Sequence, residues 1–141
     1  MQLRPIGVIH SPYKEQGQAP RQGRLQLEIS EIEVFPEFGE GLKDIEKNSH
    51  LIVLYWCDRG TRDQLLTTTP MDDRVRGVFS TRSPNRPNPI AFDVVDLIRR
   101  EGNRLVVRGM DALDGSPLLD IKPYSYELDA IQADETGGNR Q

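Results

Sequence analysis

The sequence predicts a mainly β fold: a small β-barrel-like domain with one or two short helices, and not a Rossmann sandwich. Three observations predict it. Glycine (12) and proline (10) are frequent and punctuate the chain at roughly ten- to twenty-residue intervals, which suits short strands and turns better than long helices. Apolar residues fall in short runs or in strict alternation, the patterns of buried and half-buried strands. Neither a Walker sequence nor a G-x-G-x-x-G fingerprint is present, so a nucleotide would not be held in a Rossmann crevice.

The elements follow in order. Pro5–His10 (PIGVIH) reads as a first strand, and 17–23 (GQAPRQG) as a loop. Across Arg24–Ser30, Leu25, Leu27 and Ile29 alternate with Gln26, Glu28 and Ser30, a half-buried strand. Val34–Asn48 carries the helical pair Leu42 and Ile45 in a glycine-rich frame, enough for one or two turns. Leu51–Trp56 is continuously apolar and reads as a central strand. Val75–Phe79 is short and strand-like. Ala91–Arg100 is ambiguous by period, but Glu101-Gly102-Asn103 joins it naturally to Leu105–Arg108 as a hairpin. Asp111–Ser116 is a turn-rich loop, Leu118–Tyr126 the last ordered element, and 133–141 a polar tail expected to fray.

The chain has 141 residues, enough for a single domain over 1–141, with 36% hydrophobic and 28% charged residues. No run approaches the roughly 20 apolar residues of a membrane span, and the start has no signal-peptide architecture. One cysteine, Cys57, cannot form an internal disulfide, which agrees with a reducing, cytoplasmic setting. His10, His50 and Cys57 are too few and too scattered for a metal site, so none is expected. A Ser/His/Asp triad lacks the nucleophile-elbow signal that would accompany it.

Net charge is -4, yet residues 74–104 hold seven arginines against three acids. A local basic face on an acidic protein can still bind RNA, because the nearby field outweighs the total charge. Inside that segment lies GVFSTRSPNRPNPIAF (77–92). Pro84, Pro87 and Pro89 fix φ and remove three backbone donors, and they push Ser83, Arg86 and Asn88 toward extended backbone. The result is a stiff loop that presents Arg82, Asn85, Arg86 and Asn88 with little entropy left to lose on binding. On composition alone, a proline-rich connection with solvated arginines remains the alternative.

Four strings go further: IGVIHSPYKEQGQAPRQ (6–22), NSHLIVLYW (48–56), GVFSTRSPNRPNPIA (77–91) and LDGSPLLDIKPY (113–124). In content, order and spacing the chain resembles the TrmO (TsaA, YaeB) family over about residues 5–124. The resemblance implies a homodimeric, barrel-like tRNA methyltransferase that uses S-adenosyl-L-methionine. Its acceptor would be the exocyclic amine of threonylcarbamoyladenosine, beside the anticodon of threonine tRNA. By carry-over, the donor site would include Arg21, Gln22, Trp56, Asp58, Arg82, Phe92 and the turn Asp114, Gly115, Ser116, Pro117. Arg82 suits the methionine carboxylate; Asp114 suits the ammonium or ribose, and the Gly115 and Ser116 amides an adenine edge. Asp120 is the candidate base, with Lys122 and Tyr124 orienting the carbamoyl oxygen. Arg74, Arg76, Arg86 and Asn88 are the expected RNA contacts. The chain departs from the family pattern at Asp58 (often His), Ala91 (usually Gly) and Asp93 (usually Ser). A non-catalytic S-adenosylmethionine- or RNA-binding barrel, and a small-molecule methyltransferase, are the alternatives.

Overall fold

A computed structural model describes residues 1–16, 28–68 and 73–132. Six antiparallel strands close into a barrel: β1 (Gly7–His10), β2 (Ile29–Val34), β3 (His50–Trp56), β6 (Ile90–Glu101), β7 (Arg104–Arg108) and β8 (Pro117–Pro123). Their order around the barrel is β1-β2-β7-β6-β3-β8, and β8 returns to β1. Two further strands, β4 (Leu66–Thr68) and β5 (Val75–Gly77), form a separate two-stranded arm. Closure removes the free sheet edges that the short strands would otherwise expose.

Alternation sets the inside of the barrel. Ile9, Ile32, Leu51, Val53, Val95, Leu105, Val107 and Leu118 are fully buried and form one core. β3 is apolar from Leu51 to Trp56, yet only its odd-numbered residues face inward; Ile52, Leu54 and Trp56 stay half-buried on the outer face. As expected, β3 lies between two neighbours, β6 and β8. The β1–β8 seam is the shortest pairing, Gly7 with Leu118 and Val8 with Pro117. A Cβ at Gly7 would sit 2.0 Å from the Glu33 carbonyl oxygen, so only glycine lets β1 lie this close to β2.

Most expected elements are present with shifted ends. Val34–Asn48 holds two 3₁₀ turns, Pro36–Leu42 and Ile45–Lys47. The β6–β7 hairpin turns at Gly102-Asn103. Two expectations need correction. Val75–Phe79 is strand only to Gly77; Val78–Ser80 is a 3₁₀ turn, because Thr81 N–H closes onto the Val78 carbonyl. The last element is not strand to Tyr126 but ends at Pro123. A one-turn helix, α1 (Tyr126–Asp129), follows, its N-terminus capped by Ser125 Oγ accepting from Leu128 N–H. The expected loop at 17–23, residues 24–27 of the expected second strand, and the polar tail 133–141 lie outside the described residues. No helix among the described residues is long and apolar enough to cross a membrane.

Candidate functional site

The strand directions gather the chemistry at one end. β1, β3 and β7 finish there, and β2, β6 and β8 begin there. The connections 11–28, 57–89 and 109–116 therefore share a single mouth. Arg59 ties it together: its guanidinium donates to the Asp114 carbonyl at 2.9 Å and pairs with Asp58 at 3.1 Å, while Gln16 Nε2 donates to the Arg59 carbonyl at 2.7 Å. Asp114 accepts from Ser11 N–H and from Lys14 Nζ, both at 2.9 Å. The Lys14 hydrogen bond holds the Asp114 carboxyl below its usual range. The Gly115 and Ser116 amides donate to the Ile9 and Leu113 carbonyls at 2.7 and 3.1 Å. Those two amides are thus engaged within the turn and do not present themselves to an adenine edge.

The proline-rich loop is held by side chains. Arg86 donates to the Thr81 and Ser83 carbonyls at 2.9 and 3.1 Å, with its guanidinium 6.0 Å from the Phe79 ring. Arg62 donates to the Pro87 carbonyl (2.7 Å) and to Asn88 Oδ1 (3.1 Å), and it lies over Trp56 at 5.2 Å. Asn85 Oδ1 accepts from Thr61 N–H at 3.0 Å. Gly60 sits so close to this loop that a Cβ there would be 2.4 Å from the Pro84 carbonyl oxygen. Arg86 and Asn88, expected to meet RNA, are therefore staples of the loop. Arg82 differs: exposed, and without a hydrogen-bond or carboxylate partner among the described residues, it is poised 4.7 Å over the Phe92 ring. Cation–π contact fixes the position of its guanidinium and leaves its fork of donors open.

On the outer face, Phe92 pairs with Leu54, and Leu54 pairs in turn with Asp120. Arg82, Phe92 and Asp120 thus occupy one level of the barrel wall. A register shift between Leu54 and Tyr55 produces this: Tyr55 pairs with Leu118, so Leu119 is the extra residue of a bulge. Without it, Asp120 would share the inward face of Leu118. Lys122 Nζ pairs with Asp120 at 3.1 Å. Tyr124 is not gathered with them. Its N–H meets the His50 carbonyl at the far end, and its ring packs edge-on to His50.

The expected basic face is also divided. β6 runs the length of the barrel, so Arg99, Arg100 and Arg104 lie at the end opposite the loops, paired with Glu101, Glu46, and Glu31 and Glu33. Arg74, exposed before β5, and Arg76, half-buried in it, are on the arm.

Inside the mouth is a polar cluster that sequence reasoning did not find. Asp93 is 8% exposed and accepts Asp111 N–H at 3.1 Å; Tyr55 Oη donates to Asp111 Oδ1 at 2.6 Å. Burial, then contact with the Asp111 carboxylate, pushes the Asp93 carboxyl up to about 9. Burial also pushes the Cys57 thiol up to about 12, with Asp111 and Asp93 adding to it, so this is a thiol and not a thiolate nucleophile. Tyr13 Oη is buried with no hydrogen-bond partner among the described residues.

Comparison with known proteins identifies the lineage of this arrangement. The profile described as tRNA-methyltransferase O N-terminal domain matches residues 8–130. The chain belongs to the tRNA-methyltransferase O family. An Archaeoglobus fulgidus protein named S-adenosyl-L-methionine-binding protein is 54% identical over 93% of this chain and 94% of its own length. A second protein from that organism, named a probable S-adenosyl-L-methionine-binding protein, is 60% identical; this chain spans 36% of it. The crystal structure of TrmO from Pseudomonas aeruginosa superposes with a TM-score of 0.77 at 36% identity, over 93% of this chain and 57% of that one. The family fold is therefore the barrel described above.

The family strings map onto the mouth and the adjoining wall. Arg82, Phe92, Trp56, Asp58, Asp114, Gly115, Ser116 and Pro117 cluster there, with Asp120 close by; Arg21 and Gln22 lie outside the described residues. The residues fit a donor such as S-adenosylmethionine: an open guanidinium for its carboxylate and a buried, unpartnered hydroxyl beside carboxylates. Arg59 and Arg62 were not anticipated, because isolated arginines outside a recognised string carry no spacing signal.

Proposed function

We propose that this chain binds S-adenosyl-L-methionine and acts as a tRNA methyltransferase on the exocyclic amine of threonylcarbamoyladenosine next to the anticodon of threonine tRNA. The observation that carries the reading is Arg82, a fixed guanidinium without a carboxylate partner among the described residues, level with Asp120 across β3, both within the strings that define the family. When bound, the donor supplies a methyl carbon activated by positive sulfur. Arg82 anchors the donor carboxylate bidentately, and the Arg59-stapled turn Asp114–Pro117 walls the mouth. With both substrates bound, Asp120 would take the proton of the acceptor N–H. Lys122 orients the carbamoyl oxygen. Positioning of the two substrates supplies most of the acceleration.

RNA reaches the site across the loop end, where Arg74 and Arg76 lie, in a cytoplasmic homodimer. Support for the dimer comes from the arm, which exposes Leu65, Leu66, Val75 and Phe79; two-stranded sheets are marginal alone and gain from a cover. Light scattering at micromolar concentration tests it, and a monomer that methylates tRNA overturns the dimer while leaving the donor site intact. Mass spectrometry of nucleosides from a deletion strain tests the function. Loss of the methyl group from threonylcarbamoyladenosine in threonine tRNA is the expected result. Its persistence overturns the substrate, and donor titration then separates a non-catalytic binder from a methyltransferase for small molecules.

A further inference from the structure

Two unsatisfied groups meet inside the barrel mouth. The first is a charge. Asp93 accepts the Asp111 N–H at 3.1 Å, and Asp111 accepts from Tyr55 Oη at 2.6 Å. Among the described residues no cation is ion-paired with either. The titratable and charged groups facing them are Tyr55 and Cys57 from the end of β3, Asp58 behind Cys57, and Tyr13 from the loop after β1. Arg86 acts on Cys57 beside this cluster, and its guanidinium is held by the Thr81 and Ser83 carbonyls. Burial and the neighbouring Asp111 carboxyl raise Asp93 to about 9, so Asp93 holds its proton at neutral pH.

The second group is Tyr13. Its side chain is 8% exposed, its hydroxyl has no partner among the described residues, and it lies in the field of Asp111 and Glu28. A buried hydroxyl without a hydrogen bond and a half-buried carboxylate without a counter-ion are both unfavourable at the rim of a core. Their coincidence at the loop end is explained by a ligand that satisfies both. An anion would be repelled, and a neutral group would leave the charge unpaired. A positively charged group answers Asp111 electrostatically and gives the Tyr13 oxygen a partner.

We propose that Asp111, backed by Asp93 and Tyr55 and flanked by the Tyr13 hydroxyl, forms a cation-accepting subsite that receives a positively charged group of the donor, its sulfonium or its ammonium. This rests on the donor reading given above. It also accounts for Asp93 as the one charged residue type among the described residues buried in the barrel: its carboxyl holds Asp111 in place through the Asp111 N–H.

The test is calorimetric titration of the full chain with S-adenosylmethionine and S-adenosylhomocysteine, beside thermal melts of each variant. Tyr13→Phe removes only the unpartnered hydroxyl. It should weaken donor binding by roughly 3- to 10-fold while leaving the melting temperature equal or higher, a combination that a structural hydroxyl would not give. Asp111→Asn should weaken it by at least about 30-fold. A larger loss for S-adenosylmethionine than for S-adenosylhomocysteine places the sulfonium at Asp111, and equal losses place the ammonium there. Folded Tyr13→Phe that binds the donor like the unaltered chain overturns the subsite, whether or not Asp111→Asn folds. Failure of the unaltered chain to bind either compound overturns the donor reading itself, and the subsite with it.

Discussion

The substitution Asp93→Asn should make the protein more stable at alkaline pH and leave it nearly unchanged at acid pH. The folded carboxyl titrates at about 9 against an ordinary 3.8. Between those values the folded chain holds a proton that the unfolded chain has released. Stability from this group is therefore complete below about pH 4 and is lost steadily as pH rises toward 9. Each unit of difference is worth about 1.4 kcal/mol, so from pH 5 to pH 8 the limit is about 4 kcal/mol. Proton sharing with Asp111 and relaxation of the mouth reduce this to about 2 to 4 kcal/mol. An asparagine side chain cannot titrate, and its amide can still accept Asp111 N–H and donate to the Asp111 carboxylate.

The assay is urea unfolding of both proteins at pH 5, 6.5 and 8, with thermal melts alongside. At pH 5, about 1.2 units above the ordinary value, the variant should lead by no more than about 1.6 kcal/mol. At pH 8 the variant should gain about 1 to 2 M in urea midpoint and roughly 8 to 16 °C in Tm. His10, His50 and the surface carboxylates are common to both chains and cancel in the difference. Parallel pH profiles would refute the reasoning, because they would mean that Asp93 gives up its proton in the folded barrel as readily as in the unfolded chain.

Arg82→Ala should weaken S-adenosylhomocysteine binding about 10- to 100-fold by calorimetry and leave Tm unchanged, since Arg82 makes no hydrogen bond among the described residues; unchanged affinity would move it out of the donor site. Arg86→Ala should cost about 1 to 3 kcal/mol of stability through its lost carbonyl contacts. The log–log salt slope of tRNA binding should stay the same in that variant, whereas a slope flatter by about 0.7 or more would return Arg86 to the phosphate contacts. Gly60→Ala should push the 57–60 turn off the Pro84 carbonyl and lower donor affinity together with stability; a variant with normal affinity would show that the turn and the proline-rich loop bind independently.

Much of the barrel was legible because strands announce themselves locally. Turn chemistry at Glu101-Gly102-Asn103 is enough for the β6–β7 hairpin, and the apolar run of β3 identifies a strand with neighbours on both sides. The candidate site was legible only through whole strings, and there composition misled in a definite way. Arg86 looks like an RNA contact because a guanidinium in a polar loop has no local signal distinguishing ligand from backbone carbonyl as its partner. A loop with three prolines has surrendered amide donors, and its carbonyls need donors from elsewhere. Arg62 and Arg86 supply them. Likewise, the seven arginines of 74–104 form a basic segment in sequence but not a basic face in space, because β6 carries the chain from one end of the barrel to the other.

The bulge at Leu119 shows why site geometry resists reading from sequence. Strict alternation through Leu118-Leu119-Asp120 puts Asp120 on the same face as Leu118, which is fully buried. Read that way, Asp120 would be a charge in the core and no candidate for chemistry. One extra residue reverses the parity: Leu118 pairs with Tyr55 inside, and Asp120 pairs with Leu54 outside, level with Phe92 and Arg82. Nothing local in Leu118-Leu119-Asp120 announces the shift. It is imposed by closure, which has to satisfy the β3–β8 ladder and the short β1–β8 seam at Gly7 together. Asp120, the proposed base, thus owes its position to the pairing of strands far apart in sequence.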